Sequence, residues 1–310
     1  MIKRNDIIEN PPRWLAIAEG FLVNLIWAST FVFVKIGLDY MGPLTLAGLR
    51  YFLAFLLLLP LMAGRRNASR PIPARFWVRL LLIGLSAYTV GNGALYWGLK
   101  YLPATTGSFL LSFVTLFILF LGVLWLKEVP TLWQIAGTVI SLVGGWLFFS
   151  PGLRVGELLG IGIVAVGLVG FVFFGILGRE VAKGRQVDTL SLTAIPLAFG
   201  GCSLLLVAFP IEGLPRASTT GWAILIWLAV VNTALAYMLY NHALQVLTAL
   251  EMNVLLNLSP LGTADLAWFL LGERLGVIQI IGIVTVIVGV ALVQLEGLPD
   301  AVGGARRKPA

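Results

Sequence analysis

The chain has 310 residues, of which 59% are hydrophobic and 11% charged, and its formal net charge is +7. An ordinary soluble domain is roughly half apolar and about a quarter charged, so this composition excludes a water-soluble globular protein. Most of the basic residues lie in the segments between apolar stretches, which indicates membrane topology and no nucleic-acid partner.

Ten apolar stretches follow one another, each close to the ~20 residues that cross a bilayer as a helix. Backbone groups inside lipid need partners within their own segment, which predicts helices. The predicted spans are 14–37, 44–63, 76–98, 103–126, 132–150, 156–178, 189–209, 221–241, 248–271 and 277–295. Segments on the side of the N-terminus hold most of the Lys and Arg residues. This positive-inside bias predicts that both termini are cytoplasmic.

The first two spans carry the first candidate site residues. Asn24 and Trp27 lie along one side of the first span, where Trp27 is either an aromatic wall for a substrate or part of the bundle packing. Lys35 lies near the end of this span, where its ammonium can snorkel to the interface. Arg50 lies about two turns into the second span. A charge at a helix centre costs about 2.5–3.5 kcal/mol, so Arg50 needs Asp39, a backbone carbonyl or a substrate carboxylate as its partner.

Polar residues form stripes at helical spacing on the third, fourth, eighth and ninth spans. Such a stripe avoids lipid and faces either another helix or a wet cavity. Ser and Asn side chains can bind one helix to another, whereas the tyrosine hydroxyls favour a central cavity. Amide side chains can bind both the ammonium and the carboxylate of a zwitterion. The predicted cavity lining is Asn24, Trp27, Tyr88, Asn92, Tyr96, Ser108, Ser112, Thr233, Tyr237, Asn241, Asn253 and Asn257.

One acidic residue and two prolines inside the spans each allow two interpretations. Asp265 is the deepest acid of the ninth span, and it is either a proton-coupling group or bonded to a neighbouring helix. Pro196 and Pro260 are predicted inside the seventh and ninth spans, as hinges or as static kinks. With one cysteine, Cys202, and one histidine, the sequence predicts no disulfide, no metal site, no cofactor and no catalytic cluster. We therefore expect no enzyme.

The chain also contains an internal repeat. Shifted by 145 residues, segment 98–149 lies over 243–294 without a gap. The informative matches are Glu128 with Glu273, Gln134 with Gln279, Gly137 with Gly282, and Gly144 with Gly289. Five spans separate the copies, so the two halves insert in opposite orientations. Inverted repeats are typical of secondary transporters, which bind substrate at mid-depth between the halves.

The sequence thus predicts an all-α membrane protein of ten transmembrane helices in two inverted five-helix repeats. We expect a cytoplasmic tail at 1–13, a first repeat at 14–150, a second repeat at 151–295 and a cytoplasmic tail at 296–310.

Residues 24–60, 96–147 and 243–293 carry a resemblance to a known family. They read NLIWASTFVFVKIGLDYMGPLTLAGLRYFLAFLLLLP, YWGLKYLPATTGSFLLSFVTLFILFLGVLWLKEVPTLWQIAGTVISLVGGWL and ALQVLTALEMNVLLNLSPLGTADLAWFLLGERLGVIQIIGIVTVIVGVALV. The chain resembles EamA-domain, ten-helix members of the drug/metabolite transporter superfamily, in particular aromatic amino-acid exporters of the YddG type. The resemblance implies two inverted EamA units around a central cavity, in the bacterial plasma (inner) membrane.

The leading hypothesis is a secondary transporter that exports amino acids, aromatic ones included, and related small metabolites by alternating access. A phosphate-bearing substrate is a weaker hypothesis, because Lys35 and Arg50 are the only cationic side chains available to bind a phosphate group. A cationic-drug exporter is an alternative that Asp265 leaves open, and a receptor or structural protein without transport is the alternative from another class. The expected partners are the small-molecule substrate and the lipid bilayer, and we expect a monomer. Substrate range and driving force stay open.

Overall fold

The computed structural model describes residues 12–64, 74–117, 119–120, 131–183, 189–215, 217–243, 246–247, 252 and 255–295. Within these ranges every regular element is helical, which confirms the predicted fold class at the level of an all-helical membrane protein. Two residues singled out in the sequence, Glu128 and Asn253, lie outside the described ranges.

The described helices divide between the two halves of the chain. The first half holds α1 (Arg13–Gly37), α2 (Pro43–Gly64), α3 (Ala74–Gly84), the π-helical turn π1 (Leu85–Asn92), α4 (Gly93–Leu99), α5 (Ala104–Leu111) and α6 (Leu132–Phe149). The second half holds α7 (Glu157–Lys183), α8 (Thr189–Glu212), α9 (Thr219–Ala229), the turn π2 (Val230–Leu235), α10 (Ala236–Ala243), α11 (Ser259–Leu271) and α12 (Val277–Leu295).

Among the described residues, seven helices are long and apolar enough to cross a bilayer. They are Arg13–Gly37, Pro43–Met62, Phe76–Leu99, Leu132–Phe149, Glu157–Phe174, Leu190–Glu212 and Thr219–Tyr240. Shorter apolar helices at Ala104–Phe117 and Val277–Val293 fall on the predicted fourth and tenth spans. The predicted fourth and ninth spans continue outside the described ranges, so the number ten stays a prediction.

The repeat explains how α6 begins. Thr131 and Gln134 form a capping box: the Gln134 N–H donates to Thr131 Oγ1 at 3.3 Å, and the Thr131 N–H donates to Gln134 Oε1 at 3.0 Å. Before α12 the equivalent amide, Gln279 Oε1, accepts from the Gly276 N–H at 3.0 Å. The matched glutamines therefore satisfy orphan backbone donors at equivalent helix starts.

The matched glycines allow α6 and α12 to pack backbone against backbone. A Cβ on Gly137 would lie 2.5 Å from the carbonyl oxygen of Gly289, and one on Gly144 would lie 2.8 Å from that of Gly282. The contacts run in opposite order along the two helices, so α6 and α12 are antiparallel. Their small-residue faces, a usual basis of close helix packing in membranes, meet within one chain.

The two prolines predicted inside spans differ in their position within the helices. Pro196 lies inside α8, as predicted. Pro260 lies in the first turn of α11, just after a turn at 257–258 that separates α11 from the helical residues 255–256, so the ninth span is interrupted there. A proline there removes no intrahelical hydrogen bond, since the N–H of that position has no partner in a helix.

Several chain connections meet at one end of the bundle, which we call the Asp39 end. A cleft of about 580 Å³ is lined there by residues 38–43, Thr45, Lys100 and 212–215. A second cleft, of about 440 Å³, is lined by Lys35, Asp39, 101–103, 154, 155, 157, Leu271 and Glu273. Because the second cleft contains both the last turn of α1 and the first residue of α7, these two helices run in opposite directions.

Two carboxylates at the Asp39 end join the halves of the chain. Glu273 accepts hydrogen bonds from the Ala104 N–H at 2.8 Å and the Thr105 N–H at 3.2 Å, at the start of α5. Glu212 accepts from the Leu44 N–H at 3.0 Å and the Thr45 N–H at 2.8 Å, at the start of α2. A carboxylate satisfies orphan donors and complements the positive end of a helix.

Replacing Glu273 with glutamine is expected to lower the free energy of unfolding by about 1 kcal/mol. The amide carries no charge, and only one of its two groups can accept from the N–H donors of α5. The measurement is the melting temperature of the purified protein in detergent. Lys100→Gln, which changes an exposed charge at the same end, is the control and should leave it unaltered. Equal melting temperatures for Glu273→Gln and the parent protein would contradict the role of this cap.

Candidate functional site

Arg50 lies at the centre of a buried polar cluster between the two halves of the chain, with only 4% of its surface exposed. Its Nε donates to Thr233 Oγ1 at 2.7 Å, and its Nη2 donates to the backbone oxygen of Asn232 at 3.0 Å. Its Nη1 donates to the hydroxyl of Tyr96. Of the three partners considered for Arg50, the structure thus shows a backbone carbonyl, and no carboxylate contacts it within the described ranges.

Aromatic rings surround this guanidinium. The Tyr51 ring centroid lies 5.3 Å from Arg50 Cζ, within cation–π range, and the Tyr51 and Tyr88 centroids are 4.7 Å apart. Tyr237 lies near both Tyr88 and Arg50. Trp27 lies 5.4 Å from Tyr237, edge to face. The cluster therefore combines α1, α2, the third span and α10, which belong to both halves.

Asn232 is a fully buried hub that the sequence analysis missed. Its Nδ2 faces Ile26 O at 2.6 Å, Thr30 Oγ1 at 2.9 Å and Ser29 Oγ at 3.0 Å. Its backbone oxygen also accepts from Trp27 Nε1 at 3.2 Å. Asn232 comes one residue before Thr233 and is not on the helix face that Thr233 shares with Tyr237 and Asn241. The search for polar residues at helical spacing therefore did not select it. The available signal was an amide inside an otherwise apolar run.

The two π-helical turns carry parts of this cluster. They begin at Leu85 and Val230, and 230 − 85 = 145, the same shift that relates the two halves. In each, a side chain bonds to a carbonyl five residues earlier: Asn92 Nδ2 to Ala87 O at 2.9 Å and Thr233 Oγ1 to Leu228 O at 2.9 Å. π-Turns occur frequently at functional sites. Hydrophobic periodicity alone does not distinguish them from α-helix.

Most of the predicted lining residues are enclosed, and none of those whose side chains the structure describes is exposed. The buried ones are Asn24, Tyr88, Tyr96, Ser108, Ser112 and Thr233. The half-buried ones are Trp27, Asn92, Tyr237 and Asn257. Ser108 bonds back to Thr105 O in its own helix at 3.4 Å, so it joins no second helix in the described part of the chain. The side chains of Asn241 and Asn253 are outside the description.

The enclosed residues do not line either cleft of the Asp39 end. A wet central chamber therefore stays a prediction. Three amide atoms are nevertheless buried without a hydrogen-bond partner among the described residues: Oδ1 of Asn24, Oδ1 of Asn232 and Nδ2 of Asn257. An unsatisfied buried polar atom costs about 1–3 kcal/mol, which favours a water or a ligand group beside it.

The other two charged candidates lie away from Arg50. Lys35 Nζ donates to Leu99 O at 2.6 Å and Leu102 O at 2.7 Å. It thereby satisfies backbone carbonyls at the end of α4 and just beyond it, where a helix leaves carbonyls without an intrahelical partner. Asp265 is exposed on α11, on the face that also exposes Trp268 and Phe269. A role for Asp265 in proton coupling stays a prediction.

At the end of the bundle opposite Asp39, the described residues include an apolar contact between α1 and α10. Ala16, Val23, Ala243, Leu247 and Met252 form a buried cluster there. Beside this cluster, Glu19 and His242 meet at 2.8 Å and join α1 to α10. The two clefts therefore open toward the Asp39 end, and among the described residues of the opposite end α1 and α10 are in apolar contact.

A helical integral membrane protein that encloses a polar, cationic cluster between two halves, with clefts at one end, has the architecture of a membrane transporter. The sequence model of the EamA-like transporter family matches residues 14–150 and 158–295. The chain belongs to this family. Since the family consists of transporters, the protein is grouped with membrane transporters and not with enzymes.

Known relatives agree with this assignment. An uncharacterized transporter of Archaeoglobus fulgidus is 29% identical over 283 residues, which cover 87% of this chain and 94% of the relative. The uncharacterized inner membrane transporter YedA of Escherichia coli (strain K12) is 25% identical and covers 89% of each chain. A probable terminal-alkyne amino-acid exporter of Streptantibioticus cattleyicolor is 25% identical and covers 89% of this chain and 92% of the relative.

The fold itself has a counterpart among solved structures. One crystal structure superposes with a TM-score of 0.67 at 15% identity, covering 93% of this chain and 99% of the other. At this identity the likeness shows the shared fold alone.

Proposed function

We propose that this protein is a secondary transporter that exports amino acids, aromatic ones included, and related small metabolites by alternating access. The observation that carries the proposal is the buried cluster around Arg50, where donors, acceptors and aromatic rings from both halves meet. An amino acid presents a carboxylate, an ammonium and an apolar side chain, and these are the groups that such a cluster complements. The relative named as an amino-acid exporter supports this substrate class.

The proposed architecture has ten transmembrane helices in two inverted five-helix repeats, at 14–150 and 151–295, with cytoplasmic tails at 1–13 and 296–310. One support is that α1 and α7 run in opposite directions. Another is the shift of 145 residues, which relates the glutamine caps of α6 and α12, the matched glycines of these two helices, and the turns π1 and π2. The positive-inside bias supports an orientation with the Asp39 end outside, in a bacterial plasma (inner) membrane. A monomer is supported by the pairing of α6 with α12 inside one chain.

Alternating access fits the asymmetry of the two ends. Open clefts at the Asp39 end, and a packed α1–α10 contact among the described residues of the opposite end, support a bundle that is open to one side at a time. Exchange between such states requires that the substrate be held at mid-depth, where the cluster lies. Membership of the YddG-type aromatic branch is part of this proposal and rests on the sequence resemblance.

A cationic-drug exporter is the second candidate, and the cluster disfavours it. The only full charge among the described residues of the cluster is the cation of Arg50, which would repel a cationic cargo. Asp265, the carboxylate that kept this alternative open, is exposed on α11 and outside the cluster. A receptor or structural role without transport is tested by the same experiment.

The test is efflux from proteoliposomes that contain the purified protein and an equimolar mixture of the twenty amino acids with a cationic dye. Mass spectrometry of the external medium is expected to show several-fold faster efflux of apolar and aromatic amino acids than from protein-free liposomes. Dye efflux should match the protein-free control. If only the dye moved, the drug exporter would replace this proposal; if no solute moved, a non-transport role would.

A further inference from the structure

We propose that Arg50 binds the carboxylate of the transported substrate and that Asn232 Oδ1 accepts a hydrogen bond from its ammonium. A free carboxylate is then the group that all substrates share. This inference rests on the proposed function and adds the chemical class that the site selects.

The first argument is charge. Arg50 is 4% exposed and remains protonated in proteins. The partners of its guanidinium, Tyr96, Thr233 and the backbone of Asn232, are all neutral. A buried cation without a counter-ion is unfavourable, because neutral hydrogen bonds compensate only part of its lost hydration. A bound carboxylate would supply the missing negative charge.

The second argument is the set of unused donors. A guanidinium has five N–H groups, one on Nε and two on each terminal nitrogen. Within the described ranges Thr233 occupies Nε, while Tyr96 and Asn232 O occupy one donor each on Nη1 and Nη2. One N–H remains on each terminal nitrogen. Two N–H groups of one guanidinium can donate to the two oxygens of a carboxylate.

The third argument is an unpaired acceptor on the adjoining residue. Asn232 is fully buried, and its Oδ1 has no hydrogen-bond partner in the part of the chain that the structure describes. The backbone oxygen of the same residue lies 3.0 Å from Arg50 Nη2. An anion site and an ammonium acceptor are therefore carried by neighbouring groups. In an α-amino acid the carboxylate and the ammonium are bonded to one carbon, so a single small molecule can reach both.

The test compares amino acids with their decarboxylated amines in proteoliposomes. The probes are labelled leucine and tryptophan, and the matched amines isopentylamine and tryptamine. The parent protein is expected to move each amino acid at least roughly tenfold faster than its amine, which corresponds to about 1.4 kcal/mol. Arg50→Gln should remove this preference by slowing the amino acids about tenfold, while Arg50→Lys should restore part of the rate because the cation returns without the paired N–H donors of a guanidinium.

The control variant is Arg79→Gln. Arg79 is an exposed cation on α3 that lies 5.6 Å from the Phe76 ring, so its loss changes the net charge equally without affecting the cluster. This variant should keep both the rate and the preference. If Arg50→Gln fails to fold, the preference of the parent protein decides the matter.

Equal rates for amino acids and amines in the parent protein would overturn the carboxylate site while leaving amino-acid transport in place. Unchanged leucine and tryptophan rates in Arg50→Gln would overturn it as well. Transport of none of the four probes would remove the proposed function, and this inference with it.

Discussion

Gly289→Ala is expected to lower the free energy of unfolding by about 1–3 kcal/mol, the usual cost of overpacking a close contact. A Cβ at Gly289 would lie 2.6 Å from both the carbonyl oxygen of Gly137 and the backbone nitrogen of Ser141. Both atoms are backbone, so no side-chain rotation relieves the overlap, and α6 and α12 must move apart. Their separation would also weaken the contacts of Gly144 with Gly282 further along the two helices.

The measurement is thermal unfolding of the purified protein in detergent, followed by size-exclusion chromatography. Gly162→Ala is the matched control: Gly162 lies in α7, and a Cβ there meets no atom within 4 Å. Since alanine favours a helix over glycine by about 1 kcal/mol, this control should be neutral or slightly stabilising. Equal behaviour of the two variants would show that the α6–α12 contact tolerates a methyl group and would contradict the packing argument.

The same contact shows how much of the fold the sequence could predict. The matched glycines and glutamines marked the repeat, and the structure gives both a physical role, as close-contact sites and as caps. Helix positions followed from apolar length, because lipid forces backbone groups to pair within a segment. The two carboxylate caps from Glu212 and Glu273 were not predicted, since they join residues far apart in the sequence.

The candidate site was predicted in part. Arg50 drew attention because a charge deep in a span needs a partner, and a backbone carbonyl is among the partners that the structure shows. Asn232 did not draw attention, because the polar stripes were identified only at the regular spacing of an α-helix. Asn232 comes one residue before Thr233 in π2, and consecutive helical residues point in different directions, so Asn232 faces α1 while Thr233 faces Arg50. Which neighbouring helix each face meets depends on tertiary packing, which sequence periodicity does not describe.

Asn232→Leu is expected to have the second large effect, on stability and on transport together. Leucine has the same number of side-chain heavy atoms with the same branching, but it removes the two N–H donors that serve Ile26 O, Ser29 Oγ and Thr30 Oγ1. Hydrogen bonds between membrane helices contribute about 0.6 kcal/mol on average and at most about 1.7 kcal/mol each. Loss of two donors should therefore lower the free energy of unfolding by about 1–3 kcal/mol, observed as a lower melting temperature in detergent.

Transport by Asn232→Leu separates two roles of this residue. The bond from Arg50 Nη2 goes to the backbone oxygen of residue 232, which leucine retains, so the carboxylate contact should persist. The ammonium acceptor Oδ1 is lost, so leucine efflux should slow while efflux of 4-methylpentanoate, which lacks the ammonium, should not. Thr285→Val is the control, because it removes a hydroxyl that bonds only to Ile281 O in its own helix at 2.7 Å. Equal slowing of both solutes would assign Asn232 to the α1 contact alone.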